Sequence, residues 1–391
     1  MSKWPMVRLG DVCVIERGGS PRPIDKYLTD NLDGVNWIKI GDTTPNSMFI
    51  TQTKEKIIPE GMKKSRYVKP GDFLLSNSMS FGRPYILKID GCIHDGWLVI
   101  KDENNIFDKR FLFYYLSSEK TYAEFKSMVE GGVVSNLNSK MIRDLHILLP
   151  PLSIQKKIAD ILDHANTLIE KRKAQIAKLD LLVKSQFIEM FGDPVTNDKN
   201  WSVKPVKDFA TVRIGPFGSL LHAEDYVEGG VPLINPSHIK DGEIVVDPKS
   251  TLTTEKYIEL SAYAMQEGDV VLGRRGEIGR CSVVGNGEYL CGTGSMFIRI
   301  EHDYLPMILQ RIISSDPMRH VLEDRAVGIT MSNLNAGMIS GLEIIIPPLP
   351  LQNKFAEFVH AADKSKYEIQ RSLDKLELLY KSLMQKCFAG Y

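Results

Sequence analysis

The sequence predicts a mixed α+β chain of two homologous halves, each a globular domain followed by one long helix. The two helices are expected to form an antiparallel coiled coil, giving a pseudo-two-fold internal repeat. Three observations predict this. The chain matches itself at a constant offset of 197 residues, with Trp4 against Trp201, Gly71-Asp72 against Gly268-Asp269 and Gly82-Arg83 against Gly279-Arg280. The run Ser135-Asn136-Leu137-Asn138 recurs as Ser332-Asn333-Leu334-Asn335, and Pro150-Pro151-Leu152 recurs as Pro347-Pro348-Leu349. An offset held across most of each half marks two copies of one structural unit. Each copy also ends in a helical stripe much longer than an ordinary globular helix. Before each stripe, short apolar runs alternate with Gly, Asn and Ser turns.

The elements follow in order. Strands are expected at Val35–Ile40, Asp72–Leu75, Tyr85–Ile89 and Trp97–Lys101, then one amphipathic helix over Asp108–Val129 and a last strand at Leu145–Leu149. The second copy repeats the order at Val231–Ile234, Asp269–Leu272 and Ser295–Ile300, with a helix near Leu305–Leu322 and a strand at Leu342–Ile346. These give four segments: domains over 1–150 and 193–347, and helices over 151–192 and 348–391. Ser153 suits an N-cap. Apolar residues then recur at Ile154, Ile158, Ile161, Ala165, Leu168, Ile176, Leu179, Leu182 and Met190, until Gly192-Asp193-Pro194 stops the helix. The second stripe runs through Leu351, Phe355, Phe358, Ala362, Ile369, Leu373, Leu376, Leu379 and Leu383, with Pro350 tolerated in the first turn. Each helix would span about 37 residues, or roughly 55 Å. Residues 193–347 must leave the end of one helix and return to the start of the other. An antiparallel pair puts those points together, and a compact domain with close termini bridges them.

Composition narrows the function. Hydrophobic residues make up 43% and charged residues 25% of the chain, the values of an ordinary globular protein. No apolar run has the roughly 18 residues of a membrane helix, and Met1–Pro5 opens without an apolar leader, so a cytoplasmic protein is expected. The five cysteines form no CxxC and no cluster with histidine, so neither a zinc site nor a disulfide framework is expected. The net charge is zero, spread as +3 over 1–150, 0 over 151–198, −5 over 199–347 and +2 over 348–391. Proteins that hold nucleic acid through its phosphates are usually basic. If this chain contacts DNA, a partner must supply part of the phosphate-neutralising charge.

Enzyme signatures are missing from the sequence. There is no GxxxxGK[ST], Asn235-Pro236-Ser237 departs from the Asn-Pro-Pro-aromatic motif of amino-methyltransferases, and no nucleophile elbow stands out. No cofactor is expected. The informative loops carry Arg, Lys, Asn, Ser and His, side chains that bond base edges and phosphates. In the first half the candidates are Arg22, Lys39, Asn77, Ser78, Ser80 and Arg83. In the second they are Ser219, Asn235, Ser237, His238, Lys240, Arg274, Arg275, Arg280 and Thr330. Read without a ligand, the same loops are hairpin turns with solvated charges. Glycines and the Ser-Asn-Leu-Asn run match between copies while neighbouring polar residues differ, as Asn77-Ser78 against Arg274-Arg275. Two readers of unlike half-sites would show this, and so would drift after duplication.

The order domain, Pro-Pro-Leu, long helix, twice over, resembles the specificity subunit of type I restriction-modification enzymes. Val35–Asp42, Pro70-Gly71-Asp72, Gly82-Arg83, Leu137–Leu162 and its copy Leu334–Val359 carry the resemblance, which covers the whole chain. The family often has Glu-Gln after the Pro-Pro-Leu turn; Ile154-Gln155 and Leu351-Gln352 keep only the glutamine, a departure that could bear on partner contacts. The resemblance implies that 1–150 and 193–347 are target-recognition domains and that the helices are spacers and docking surfaces. It implies double-stranded DNA, two methyltransferase subunits and restriction subunits as partners, and recognition without catalysis. A helix of roughly 55 Å exceeds a duplex turn of about 34–36 Å, which suits two half-sites about a turn apart. The competing reading is a duplicated coiled-coil adaptor that clamps two protein copies and does not bind DNA.

Overall fold

The computed structural model describes residues 4–44, 47–78, 82–130, 136–276, 278–326 and 333–388. The chain divides into two compact units, one of residues 1–175 with 369–391 and the other of residues 176–368. Each unit therefore holds one domain together with the first part of one long helix and the last part of the other.

The first unit has two five-stranded sheets. One runs in the order Leu28–Thr29, Glu55–Ile57, Val35–Ile38, Gly91–Ile93, Arg66–Val68, and the other Val14–Arg17, Trp97–Lys101, Phe73–Ser76, Pro84–Leu87, Phe49–Ile50. Side chains of a strand alternate between faces, and here both faces of the central strands are covered. Phe73, Leu75, Leu98 and Ile100 pack toward the helices, while Leu74, Trp97 and Val99 join Ile38, Val68 and Ile93 in a separate core. That is why these strands read as continuous apolar runs. A two-stranded ribbon pairs Met6–Arg8 with His146–Leu148 and ties the start of the domain to its end.

The second unit repeats the plan. Val270, Leu272, Met296 and Ile298 face the helical side, and Val271 and Phe297 face the other core. Ser202–Pro205 pairs with Glu343–Ile346 as the matching ribbon.

Where a single amphipathic helix was expected in each domain, the structure has two. Lys109–Leu116 is followed by Glu119–Glu130, and Pro306–Ser314 by Asp316–Arg325. The breaks have local causes. Ser118 Oγ accepts from the Thr121 N–H at 3.3 Å while Thr121 Oγ1 donates to the Tyr115 carbonyl at 2.8 Å. In the second domain Ser315 caps the next helix and Pro317 occupies its first turn.

The long helices are Leu152–Phe191 and Leu349–Phe388, each of 40 residues. Since the first begins at Leu152, Ser153 lies inside its first turn and is not the N-cap. Gly192, at φ +75°, follows it in the left-handed conformation that a helix stop favours. The pairing is antiparallel. In the first unit Ile158, Ala159 and Leu162 share a core with Phe388, whose ring lies 5.6 Å from Phe111 and 5.4 Å from Tyr115. In the second, Phe187 and Phe191 stack edgewise on Phe355 at 5.5 and 5.4 Å. Lys173–Glu377 at 3.4 Å and Lys366–Asp180 at 2.9 Å cross-link the pair further along.

The buried line of the first helix differs from the expected stripe. Ile161, Leu168 and Leu182 are about half exposed, whereas Ile158, Leu162, Ala165, Ile169, Val183, Phe187 and Phe191 are buried. Leu379 of the second stripe is exposed too. The helices bury one face against both the opposite helix and the domain beside it, so the covered face is rotated from a pure two-helix seam.

Gln155 and Gln352 are fully buried. Gln155 Oε1 accepts from the Asp108 N–H at 2.8 Å and its Nε2 donates to the Pro150 carbonyl at 2.9 Å. Gln352 does the same with the Leu305 N–H and the Pro347 carbonyl, both at 2.8 Å. Each glutamine thus staples the start of a long helix to its own domain. The glutamine retained after each Pro-Pro-Leu turn serves the chain's own fold and is not exposed to a partner.

Candidate nucleic-acid interface

In each domain the strand-end loops converge on one patch, and a shared backbone scaffold brings them there. The Gly18 N–H donates to the Trp97 carbonyl at 2.9 Å, and at the repeat position the Gly215 N–H donates to Ser295 at 3.1 Å. A Cβ at Gly18 would stand 2.2 Å from the His94 carbonyl oxygen, and one at Gly215 1.9 Å from that of Gly292. Only glycine permits this approach. The Asn77 N–H donates to Gly96 and the Arg274 N–H to Gly294; the carbonyls of Asn77 and Arg274 accept from Leu137 and Leu334, both at 3.0 Å. The matched Asn-Leu-Asn run therefore has a mechanical role: its leucine docks on the loop, and its last asparagine, Asn138 or Asn335, caps the next helix.

The side chains on this scaffold are unlike. In the first domain they gather around Asp95. Its Oδ1 accepts from Ser20 Oγ at 2.9 Å and lies 3.0 Å from His94 Nε2, and its Oδ2 is 3.4 Å from Arg22 Nη2. Its carbonyl accepts from Arg17 Nε at 3.0 Å and Asn77 Nδ2 at 2.9 Å. His94 Nδ1 accepts from the Gly96 N–H at 2.9 Å, which leaves the Nε2 proton for Asp95. Partial burial opposes ionisation of Asp95, but the Ser20 hydroxyl, the neighbouring His94 ring and the charges of Arg17 and Arg22 outweigh it and hold the carboxyl below its usual range.

In the second domain the loops around Phe217, Asn235, Arg274 and Gly292–Gly294 meet instead. Arg274 Nε donates to Asn333 Oδ1 at 3.2 Å. Burial and the adjacent Arg275 charge lower the Arg274 pKa from its ordinary value. Arg275 is exposed and bridges its backbone to Asn333. Phe217, at the repeat position of Ser20, is 70% exposed in a hydrogen-bonded turn.

The sequence candidates fall into groups. Arg22, Arg83, Ser219, Ser237, Lys240 and Arg275 are exposed, and Ser78, Arg274 and Arg280 are partly exposed. Lys39 pairs with Glu55, and its N–H donates to Asp42 at 2.7 Å. Asn77 is 1% exposed; it holds a loop in place and cannot present its amide. His238 is also buried, with Nδ1 3.1 Å from the Asn235 nitrogen and 3.0 Å from the Leu233 carbonyl. Those two side chains shape loops, whatever their neighbours contact. Ser80 and Thr330 lie outside the described residues. Sequence reasoning missed His94 and Asp95. Asp95-Gly96 matches Thr293-Gly294, one position off the 197-residue register, so the repeat does not point to it. Among the described residues no group of His, Cys, Asp and Glu could hold a metal ion, and no helix is long and apolar enough to cross a membrane.

Two copies of one scaffold with unlike loop side chains, held by a pair of helices, define a bipartite recognition protein. The model of the type I restriction modification DNA specificity domain matches residues 1–179 and again 198–378, and the chain belongs to that family. It is a specificity subunit of the type I class, a recognition component and not an enzyme. Similar proteins include the type I restriction enzyme MjaVIII specificity subunit of Methanocaldococcus jannaschii, 22% identical over 99% of this chain and 92% of the relative. The EcoBI specificity subunit of Escherichia coli is 19% identical over 99% and 86%. The fold matches the type I restriction-modification system S subunit from M. genitalium with TM-score 0.55 at 12% identity, covering 99% of this chain and 96% of that one. A chain from a study of complex assembly and conformational transition in the type I R-M system matches with TM-score 0.65 at 16% identity, covering 98% and 97%.

Proposed function

We propose that this subunit reads a split, asymmetric duplex target, residues 1–150 contacting one half-site and 193–347 the other. The long helices set the unread gap and dock two methyltransferase subunits, with restriction subunits completing the nuclease in the cytoplasm. The observation that carries this reading is the pair of loop patches built on one scaffold with different chemistry: Asp95, Arg22 and Ser20 in one, Arg274, Arg275 and Phe217 in the other. Identical readers would specify a symmetric target; unlike readers specify an asymmetric one. The adaptor reading is disfavoured by membership of a DNA-specificity family.

The chain's zero net charge gives the methyltransferase subunits a share of the phosphate contacts. A mobility shift on a randomised duplex library tests this with and without those subunits. Enrichment of two fixed base blocks around a free gap, much stronger with the subunits present, is the expected result. No enriched sequence under either condition rejects the proposal.

A further inference from the structure

The scaffold bonds of the recognition patch repeat between the domains, but the network around Asp95 does not. Matched through the repeated backbone bonds, Asp95 corresponds to Thr293, Ser20 to Phe217, Arg22 to Ser219, Asn77 to Arg274 and His94 to Gly292. None of these reproduces a carboxylate with its donors. The second domain nevertheless forms the same Gly215–Ser295, Arg274–Gly294 and Leu334–Arg274 backbone bonds. The fold therefore does not require an acid at this place. The charge belongs to what distinguishes one reader from the other.

A carboxylate on a DNA-facing patch repels every phosphate, whatever the sequence. It also occupies the donors around it. Ser20 Oγ, His94 Nε2 and Arg22 Nη2 all point to its two oxygens, and the Arg22 contact is the longest, on a side chain 81% exposed. Arg22 can leave for the duplex at little cost. Once it does, Asp95 Oδ2 is free to accept, and carboxylates accept from the amino group of cytosine.

We propose that Asp95 is a specificity-determining residue of the first half-site: it restrains Arg22, Ser20 and His94 in the free protein and penalises binding unless the correct bases take over these partners. This rests on the DNA-reading role proposed above. On a wrong sequence the repulsion remains unbalanced; on the right one an amino group on a base edge replaces Arg22 at Oδ2 while Arg22 moves to a phosphate.

The test uses the full chain with its methyltransferase subunits and three duplexes: the target selected by the wild type, that target with its first half-site scrambled, and that target with its second half-site scrambled. Asp95→Asn keeps an acceptor oxygen and loses the charge. It is expected to bind the first-half-scrambled duplex more tightly than wild type does, with discrimination at the first half-site falling on the order of tenfold and discrimination at the second unchanged. Ser20→Ala, which keeps the charge and frees one oxygen, is expected to weaken first-half discrimination without tightening binding to the scrambled duplex. It also serves if Asp95→Asn fails to fold, as read by its melting transition. Unchanged discrimination in both variants, or equal loss at both half-sites, overturns the role of Asp95. A wild type that selects no sequence overturns the DNA-reading proposal itself.

Discussion

Arg274 and Arg275 are adjacent in sequence and unlike in setting. Arg274 is partly buried and aimed by Asn333; Arg275 is exposed. A fixed guanidinium suits a base edge, and a free one suits a phosphate. Arg274→Ala should therefore cost about 1–3 kcal/mol at one position of the second half-site. Arg275→Ala should weaken all sequences alike and reduce the salt slope by about one. Binding isotherms across a salt series separate the two effects, and unchanged binding in both variants would return the pair to a solvated turn. The thiols give a second residue-scale expectation. Cys13, Cys92, Cys281 and Cys291 are buried, and burial pushes the Cys13 and Cys281 thiols up to about 12. The thiolate is the reactive form. Alkylation of the native protein at neutral pH should spare these residues until the domains unfold, and rapid labelling of Cys281 would contradict the packing described.

Among elements, the glutamine staples make the clearest stability prediction. Gln155→Ala leaves the Asp108 N–H and the Pro150 carbonyl without their partner, at about 1–3 kcal/mol for each buried group left unpaired. A clear fall in the urea midpoint is expected, and an unchanged midpoint would show that the staple is dispensable. The helices make the functional one. A turn added to both, near Lys173 and at its partner Glu377, lengthens each by about 5 Å, more than one base step of about 3.4 Å. Sequence selection should then return the same half-sites with a wider gap; altered half-sites would show that the helices are not the ruler. The elements also show where sequence was legible. The long helices were, because a 3.6-residue period persists over many turns, and so were Trp97–Lys101, Val231–Ile234 and Ser295–Ile300, where apolar runs fill a strand buried on both sides. Strands of two or three residues, such as Leu28–Thr29 and Thr251–Leu252, are too short to show any period. The break at Ser117-Ser118 was hidden because Leu116 before it and Phe125 after it are both core residues. Ile161 and Leu168 fit the expected stripe equally well, and only the docking of the domains decides that Leu162 and Ile169 are covered instead. The recognition loops were visible through their glycines. Asp95 was not, because its contacts join three segments that are distant in sequence.

For the whole molecule, the repeat means that recognition is written twice on one scaffold, and the two versions are expected to work independently. Each domain has its own core, its own ribbon closing on its own ends and its own staple to a helix. The most direct measurement replaces residues 193–347 by the corresponding segment of a relative and determines the bound sequence by selection from a randomised library, with the methyltransferase subunits present. The first half-site and the gap should be retained while the second half-site changes to that of the relative. A change in both half-sites, or in neither, would contradict reading by two separate domains.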